Sequence, residues 1–163
     1  MWRRDILIFV CVGSREYQFN RLLKKLDELI EQGEIKEEVF AQIGKSTYIP
    51  KNYKFERFMS VVEFKECQRK AHLVISHGGT GALIGALKLE KQLLAVPRLA
   101  RYGEHIDDHQ TQVAEVLAEE GYLYCVLNMD ELLNGINKFE RNPIKKRYNK
   151  PSKVLSIIQD FMR

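Results

Sequence analysis

Ser76-His77-Gly78-Gly79-Thr80-Gly81 decides the fold of this chain. The run before it, Ala71-His72-Leu73-Val74-Ile75, is short, apolar and β-branched, which predicts a buried strand. The run after it, Ala82 to Leu89, predicts a helix. The glycines therefore sit on a strand-to-helix turn. Glycine permits positive φ and lets backbone approach a ligand closely. The first N–H groups of the helix and the positive end of its dipole would then favour an anion such as phosphate. On this stretch alone, a tight turn that needs glycine only for its geometry reads the same way.

Working outward, the same alternation recurs. Upstream, Asp5 to Val12 is a near-continuous apolar run, as in strands buried on both faces of a parallel sheet. The turn Gly13-Ser14 follows. Phe19, Leu22, Leu23, Leu26, Leu29 and Ile30 then recur at helical spacing, predicting a helix over 17–32 that stops at Gly33. Val39 to Ile43 is a second strand, Tyr48 to Asn52 a loop, Phe55 to Met59 a third strand, and Glu63 to Lys70 a short helix. Downstream, Leu93 to Pro97 is a strand, stopped by its proline. A polar loop runs from Arg98 to Asp108, and His109 to Glu120 is a helix with Val113, Val116 and Leu117 on one face. Tyr122 to Leu127 is the last strand, and Asn128 is placed to cap a helix from Met129 to Glu140. Pro151 opens a final amphipathic helix carrying Val154, Leu155, Ile158, Phe161 and Met162.

Strands alternating with helices predict an α/β fold, a Rossmann-like parallel sheet with helices on both faces, over a single domain of 1–163. In such sheets ligands bind at the carboxyl ends of the strands. Three loops leave those ends: Gly13-Ser14-Arg15, Ser76 to Gly81, and Arg98 to Gln110.

The composition fits that picture. The chain of 163 residues is 45% hydrophobic and 29% charged, ordinary for a globular protein. A net charge of +4 is too small to argue for nucleic acid. Cys11, Cys67 and Cys125 form no paired motif, which fits a reducing compartment and offers no zinc site. No stretch has the length of a membrane span or a secretory signal, so the expected location is cytoplasmic.

A second stretch, Arg101 to Gln110, is dense in polar chemistry. His105, Asp107, Asp108 and His109 match no metal motif, so no metal site is expected. Asp107 or Asp108 can cap the helix that begins near His109. Alternatively, Asp108-His109-Gln110 can present hydrogen-bonding groups to a polar ligand such as a sugar, since an amide both donates and accepts.

Taken together, Val12-Gly13-Ser14, Phe19-Asn20-Arg21-Leu22, Gln42-Ile43-Gly44, Ser76-His77-Gly78-Gly79, Val96-Pro97-Arg98 and Gly103 to Gln110 resemble the Alg13-like glycosyltransferases. These form the family 28 C-terminal domain group, and the small bacterial PssE-like capsular and exopolysaccharide subunits look most similar. The resemblance covers roughly residues 6 to 127, with the motifs in family order. It implies the donor-binding half of a GT-B glycosyltransferase. On that resemblance, His77, Gly78, Gly79, Thr80 and Gly81 would line a diphosphate with Gly13 and Ser14 beside it. Asp108, His109 and Gln110 would address the donor sugar, Gln110 foremost, and the segment at Glu63-Phe64 would hold uracil through backbone groups. Many relatives carry a ribose-binding Glu in the helix after the glycine loop; the corresponding residue here is Gly85, which leaves the ribose contact unassigned.

The resulting expectation is an inverting, UDP-sugar-dependent hexosyltransferase subunit. It would act on a lipid-linked saccharide acceptor in exopolysaccharide or capsule synthesis, with an Alg14-like membrane-anchored partner. The UDP-sugar is a substrate; no tightly bound cofactor is expected, and a divalent cation on the donor is left open. The catalytic base is unknown, with His77, His105 and Asp107 as candidates. A peripheral membrane contact is expected from the C-terminal segment, because Lys138, Arg141, Lys145, Lys146, Arg147, Lys150 and Lys153 are accompanied there by one acid, Glu140. The final helix is the candidate for part of the partner contact. Two rival readings stand beside this one: a UDP-sugar epimerase-type enzyme, and a non-catalytic enhancer subunit.

Overall fold

The computed structural model describes residues 7–147, 156 and 158–160. Its strands are β1 (Leu7–Cys11), β2 (Glu38–Gln42), β3 (Lys54–Glu56), β4 (Leu73–Ser76), β5 (Gln92–Ala95) and β6 (Tyr124–Cys125). The helices are α1 (Asn20–Glu31), α2 (Val61–Lys70), α3 (Thr80–Lys88), α4 (His109–Glu119) and α5 (Leu132–Arg141). The six strands form one sheet in the order β3-β2-β1-β4-β5-β6, and every pairing is parallel. The expected α/β sheet is therefore present. Its order reverses between β1 and β4, and a crevice opens at the carboxyl end of such a switch point.

Strand alternation sorts the core into two layers. Ile8, Val10 and Val12 face one side with Leu73, Ile75, Leu94 and Val96, where Leu22, Leu23, Leu26 and Leu29 of α1 and Leu132, Ile136 and Phe139 of α5 cover them. Phe9, Cys11, Val74, Leu93 and Ala95 face the other side, under Leu83, Ala86 and Leu87 of α3 and Val113, Ala114 and Leu117 of α4. Each such aliphatic side chain contributes about 1.5–3 kcal/mol by leaving water.

The elements differ from expectation mainly at their ends. Helix α1 begins at Asn20 rather than at residue 17, because the backbone just before it is bound elsewhere. The Phe19 N–H donates to Ser46 Oγ at 3.0 Å, and the Tyr17 and Gln18 carbonyls accept from Arg98. Strand β3 stops at Glu56, and α2 starts earlier, at Val61. Ser60 and Glu63 form a capping box there, a sequence signature that fixes the helix start. Asn128 does cap, but through Asp130 N–H, and it caps a 3-10 turn over Met129–Glu131 that leads into α5. Strand β6 keeps only two residues, with Tyr122 and Leu123 turned into the core ahead of it.

The described residues that follow α5 pack on the domain. Phe139 and Ile144 are buried, and Ile144 exchanges two main-chain bonds with the Gln92 side chain, at 3.0 and 2.6 Å. Ile158, which was expected on a partner-facing helix, is buried in the second core layer of this chain. Asp5, Ile6, Lys150, Pro151, Lys153, Val154, Leu155, Phe161 and Met162 lie outside the described residues.

Candidate functional site

Two hollows open at the carboxyl edge of the sheet, on either side of His77. The larger, about 500 Å³, is walled by Gly13, Ser14 and Arg15 after β1, by His77 to Ala82 after β4, and by Arg98, His105, Ile106, Asp107, His109 and Gln110 after β5. The smaller, about 310 Å³, shares Gly13, Ser14, His77, Gly81 and Ala82 and continues to Phe58, Phe64, Gln68 and Gly85. Volumes of this size suit a small organic ligand. The three loops singled out in the sequence thus converge on one site.

Gly78 takes φ +90° between β4 and α3, a conformation that disfavours side chains. Gly79 occupies the N-cap position of α3 without any side-chain cap. The first-turn N–H groups of α3 are therefore left open beside the larger hollow, where helix geometry favours an anion. Gly81 has nothing within 4 Å of where a Cβ would stand, so it faces open space.

Gly13 and Gly79, which both line the larger hollow, also make room for His77. A Cβ on Gly13 would lie 2.9 Å from His77 Cε1, and one on Gly79 only 2.2 Å from the same atom. The imidazole is clasped between two glycines. The Gly13 N–H is not free either: it donates to Gln42 Oε1 at 3.1 Å, while Gln42 Nε2 donates to the carbonyls of Gly13 and Arg57. Gln42, buried at the end of β2, is thus a support of the site whose role sequence reading missed; a buried amide at a strand end was the available signal.

Burial above all, with Arg98 and His105 nearby, pushes His77 down to about 3. It is a neutral ring at physiological pH, and its Nδ1 is buried with no hydrogen-bond partner among the described residues. A base that weak is poorly matched to proton abstraction near neutrality. His105 is different. Its Nδ1 lies 3.3 Å from Asp107 Oδ1, and its ring sits 5.6 Å from that of Tyr17. The Asp107 carboxylate accepts the His109 N–H at 3.0 Å, and that bond, followed by the two histidines, holds it below the usual carboxylate range. Asp107 thus binds the first N–H of α4 from one residue ahead of the N-cap, Asp108, whose own side chain makes no cap bond.

The remaining residues divide. Gln110 reaches the larger hollow, its Oε1 accepting the Arg98 N–H at 3.2 Å and its Cβ packing beneath Gly78. His109 lines the same hollow. Asp108 does not line it; its carboxylate accepts the Ala100 N–H at 2.8 Å. Phe64 lines the smaller hollow, but Glu63 does not. Neither backbone N–H at 63–64 is available to a base, because Glu63 donates to Ser60 Oγ and Phe64 to the Ser60 carbonyl. The Gly85 position is filled from the side: a Cβ there would stand 3.2 Å from Oε1 of the buried Gln68. Among the described residues no cluster of metal-ligating side chains occurs.

The glycosyltransferase family 28 C-terminal domain matches residues 7–162. The UDP-N-acetylglucosamine transferase subunit ALG13 of Mus musculus is 34% identical over 90 residues, 52% of this chain and 7% of the mouse protein. The subunit of the same name from Saccharomyces cerevisiae is 32% identical over 74 residues, 45% of this chain and 35% of the yeast protein. The matched stretch thus spans well under two thirds of these relatives. The solution structure of ALG13 superimposes with a TM-score of 0.62 at 19% identity over 97% of both chains. The glycosyltransferase SnogD from Streptomyces nogalater gives 0.61 at 17% identity, over 97% of this chain and 39% of that one. The fold is thereby that of the C-terminal half of a GT-B glycosyltransferase, and this chain belongs to the glycosyltransferase family 28 C-terminal domain family.

Proposed function

We propose that this chain is the donor-binding subunit of an inverting glycosyltransferase that uses a UDP-sugar and completes its active site with a membrane-anchored, Alg14-like partner. The observation that carries this reading is the uncapped N-terminus of α3 opening into the larger hollow at the sheet's switch point. A diphosphate seated there meets open N–H groups and the positive helix end, which stabilise the charge that develops on a leaving UDP. The name shared by the curated relatives favours N-acetylglucosamine as the sugar. A lipid-linked saccharide is the proposed acceptor, within exopolysaccharide or capsule synthesis.

His105 is the best placed candidate base within this chain, since it borders the hollow and faces a carboxylate. The acceptor hydroxyl would lose its proton as it attacks the anomeric carbon and UDP departs from the opposite face, inverting the configuration. No step is assigned to a metal ion. Contact with the cytoplasmic membrane face would come from Lys138, Arg141, Lys145 and Arg147, tested by charge reversal and vesicle sedimentation rather than truncation, because Phe139 and Ile144 belong to the core.

The deciding experiment is titration of the purified chain with UDP and UDP-N-acetylglucosamine, followed by transfer assays with a lipid-linked acceptor, with and without the membrane partner. Nucleotide binding by the chain alone and transfer only with the partner is the expected result. Efficient transfer without any partner would remove the split-enzyme reading. Absence of nucleotide binding would favour the enhancer alternative.

A further inference from the structure

Arg98 is among the largest fully buried side chains, 2% exposed, and it walls the larger hollow. Its guanidinium donates to the carbonyls of Val12, of Tyr17 at 2.9 Å, of Gln18 at 3.2 Å and of Glu104 at 3.1 Å. Those acceptors belong to two loops, one after β1 and one after β5, that flank the hollow. One side chain therefore ties together both sides of the site.

The pairing of charge is incomplete. No carboxylate stands within ion-pair distance of Arg98 among the described residues; the nearest acid in the cluster, Glu104, is engaged otherwise. Its Oε2 binds Arg21 Nε at 2.8 Å, and its Oε1 accepts the Leu99 N–H at 3.0 Å. Glu104 thus forms its ion pair with Arg21, and the Arg98 charge stands beside the hollow without one among the described residues. Burial lowers Arg98 only to about 10, so it stays cationic at neutral pH. A buried cation whose partners are carbonyl dipoles is a costly feature, and four carbonyls compensate it only in part. A hydrophobic side chain of similar size would fill the space without that cost.

We infer that Arg98 is a positioning residue and the buried counter-charge for a diphosphate: its fork ties the two loops together at a fixed distance, and its charge favours an anion in the hollow between them. The inference rests on the nucleotide-sugar reading above and deepens it, by assigning the charge compensation of the diphosphate to this chain.

The test compares affinities for UDP and for uridine, the latter by displacement of UDP, in the wild type, Arg98→Lys, Arg98→Gln and Glu104→Gln. A purely structural loss weakens both ligands alike. A lost counter-charge weakens UDP alone. The preference for UDP over uridine is expected to fall on the order of tenfold in Arg98→Gln and to hold within about twofold in Arg98→Lys. It should rise in Glu104→Gln, where the anion is gone and both cations remain. Should Arg98→Gln fail to fold, the opposite sign in Glu104→Gln still decides. An unchanged preference in the folded variants overturns the role of Arg98 alone. A wild type that binds neither ligand sinks the nucleotide-sugar reading itself.

Discussion

Gly81→Ala separates the two reasons a glycine can stand in this turn. Gly81 lies in the first turn of α3 and has no positive φ that would strain a side chain. A methyl group there meets nothing within 4 Å. Alanine is favoured over glycine in a helix by up to about 1 kcal/mol, mainly because it loses less backbone freedom on folding. The variant should therefore be more stable, by about 0.5–1 kcal/mol, and for a chain of this size that raises Tm by roughly 1–4 °C. The same methyl projects toward both hollows, which Gly81 lines. It would hold a diphosphate away from the α3 N–H groups and weaken UDP binding by about tenfold, or ~1.4 kcal/mol. Thermal melts and calorimetry with UDP measure the two effects independently. Gain in stability with loss of binding is the expected signature. A stabilised variant that binds UDP as tightly as the wild type refutes the placement of the ligand, and a destabilised one refutes the reading of the turn. Gly79 cannot serve the same purpose, because even a Cβ there would collide with His77.

Three further outcomes follow from particular contacts. Asp27, 3% exposed, accepts from Tyr48 Oη at 2.6 Å and from the N–H groups of Lys51 and Asn52 at 2.8 and 2.9 Å; Asp27→Ala should cost on the order of 3 kcal/mol in urea unfolding while leaving UDP affinity unchanged. His77 titrates near 3 in the folded chain against 6.5 as its ordinary value, so the unfolded state binds the extra proton between those pH values; its contribution to stability is full above about 6.5 and is lost as pH falls toward 3, and His77→Gln should flatten that acid limb in pH-dependent melts. Gln110→Ala should keep UDP affinity within a few-fold yet depress transfer from a UDP-sugar in the reconstituted system, and a collapse of UDP affinity instead would place Gln110 at the nucleotide.

The order of elements was legible in the sequence because local periodicity encodes it. Ile8 and Val10 alternate with Phe9 and Cys11 for two covered faces, and the α1 leucines recur every three or four residues for one. The strand–glycine turn–helix unit around Gly78 was readable for the same reason: strand, turn and helix signals are all local. The family resemblance likewise rests on short motifs in order, and the match over 7–162 agrees with it. Only the tertiary structure decided what those motifs do to one another. That Gly13 makes room for His77, that Gln42 takes both polar groups of Gly13, and that Arg98 reaches Val12 and Tyr17 depend on contacts 29 to 86 residues apart in the chain. A sequence pattern carries the identity of such groups but not their distance. His77 and His105 looked equivalent as residue types and were separated by their surroundings, since desolvation, aided by Arg98 and His105, makes one a neutral wall of the pocket while the other stands beside a carboxylate.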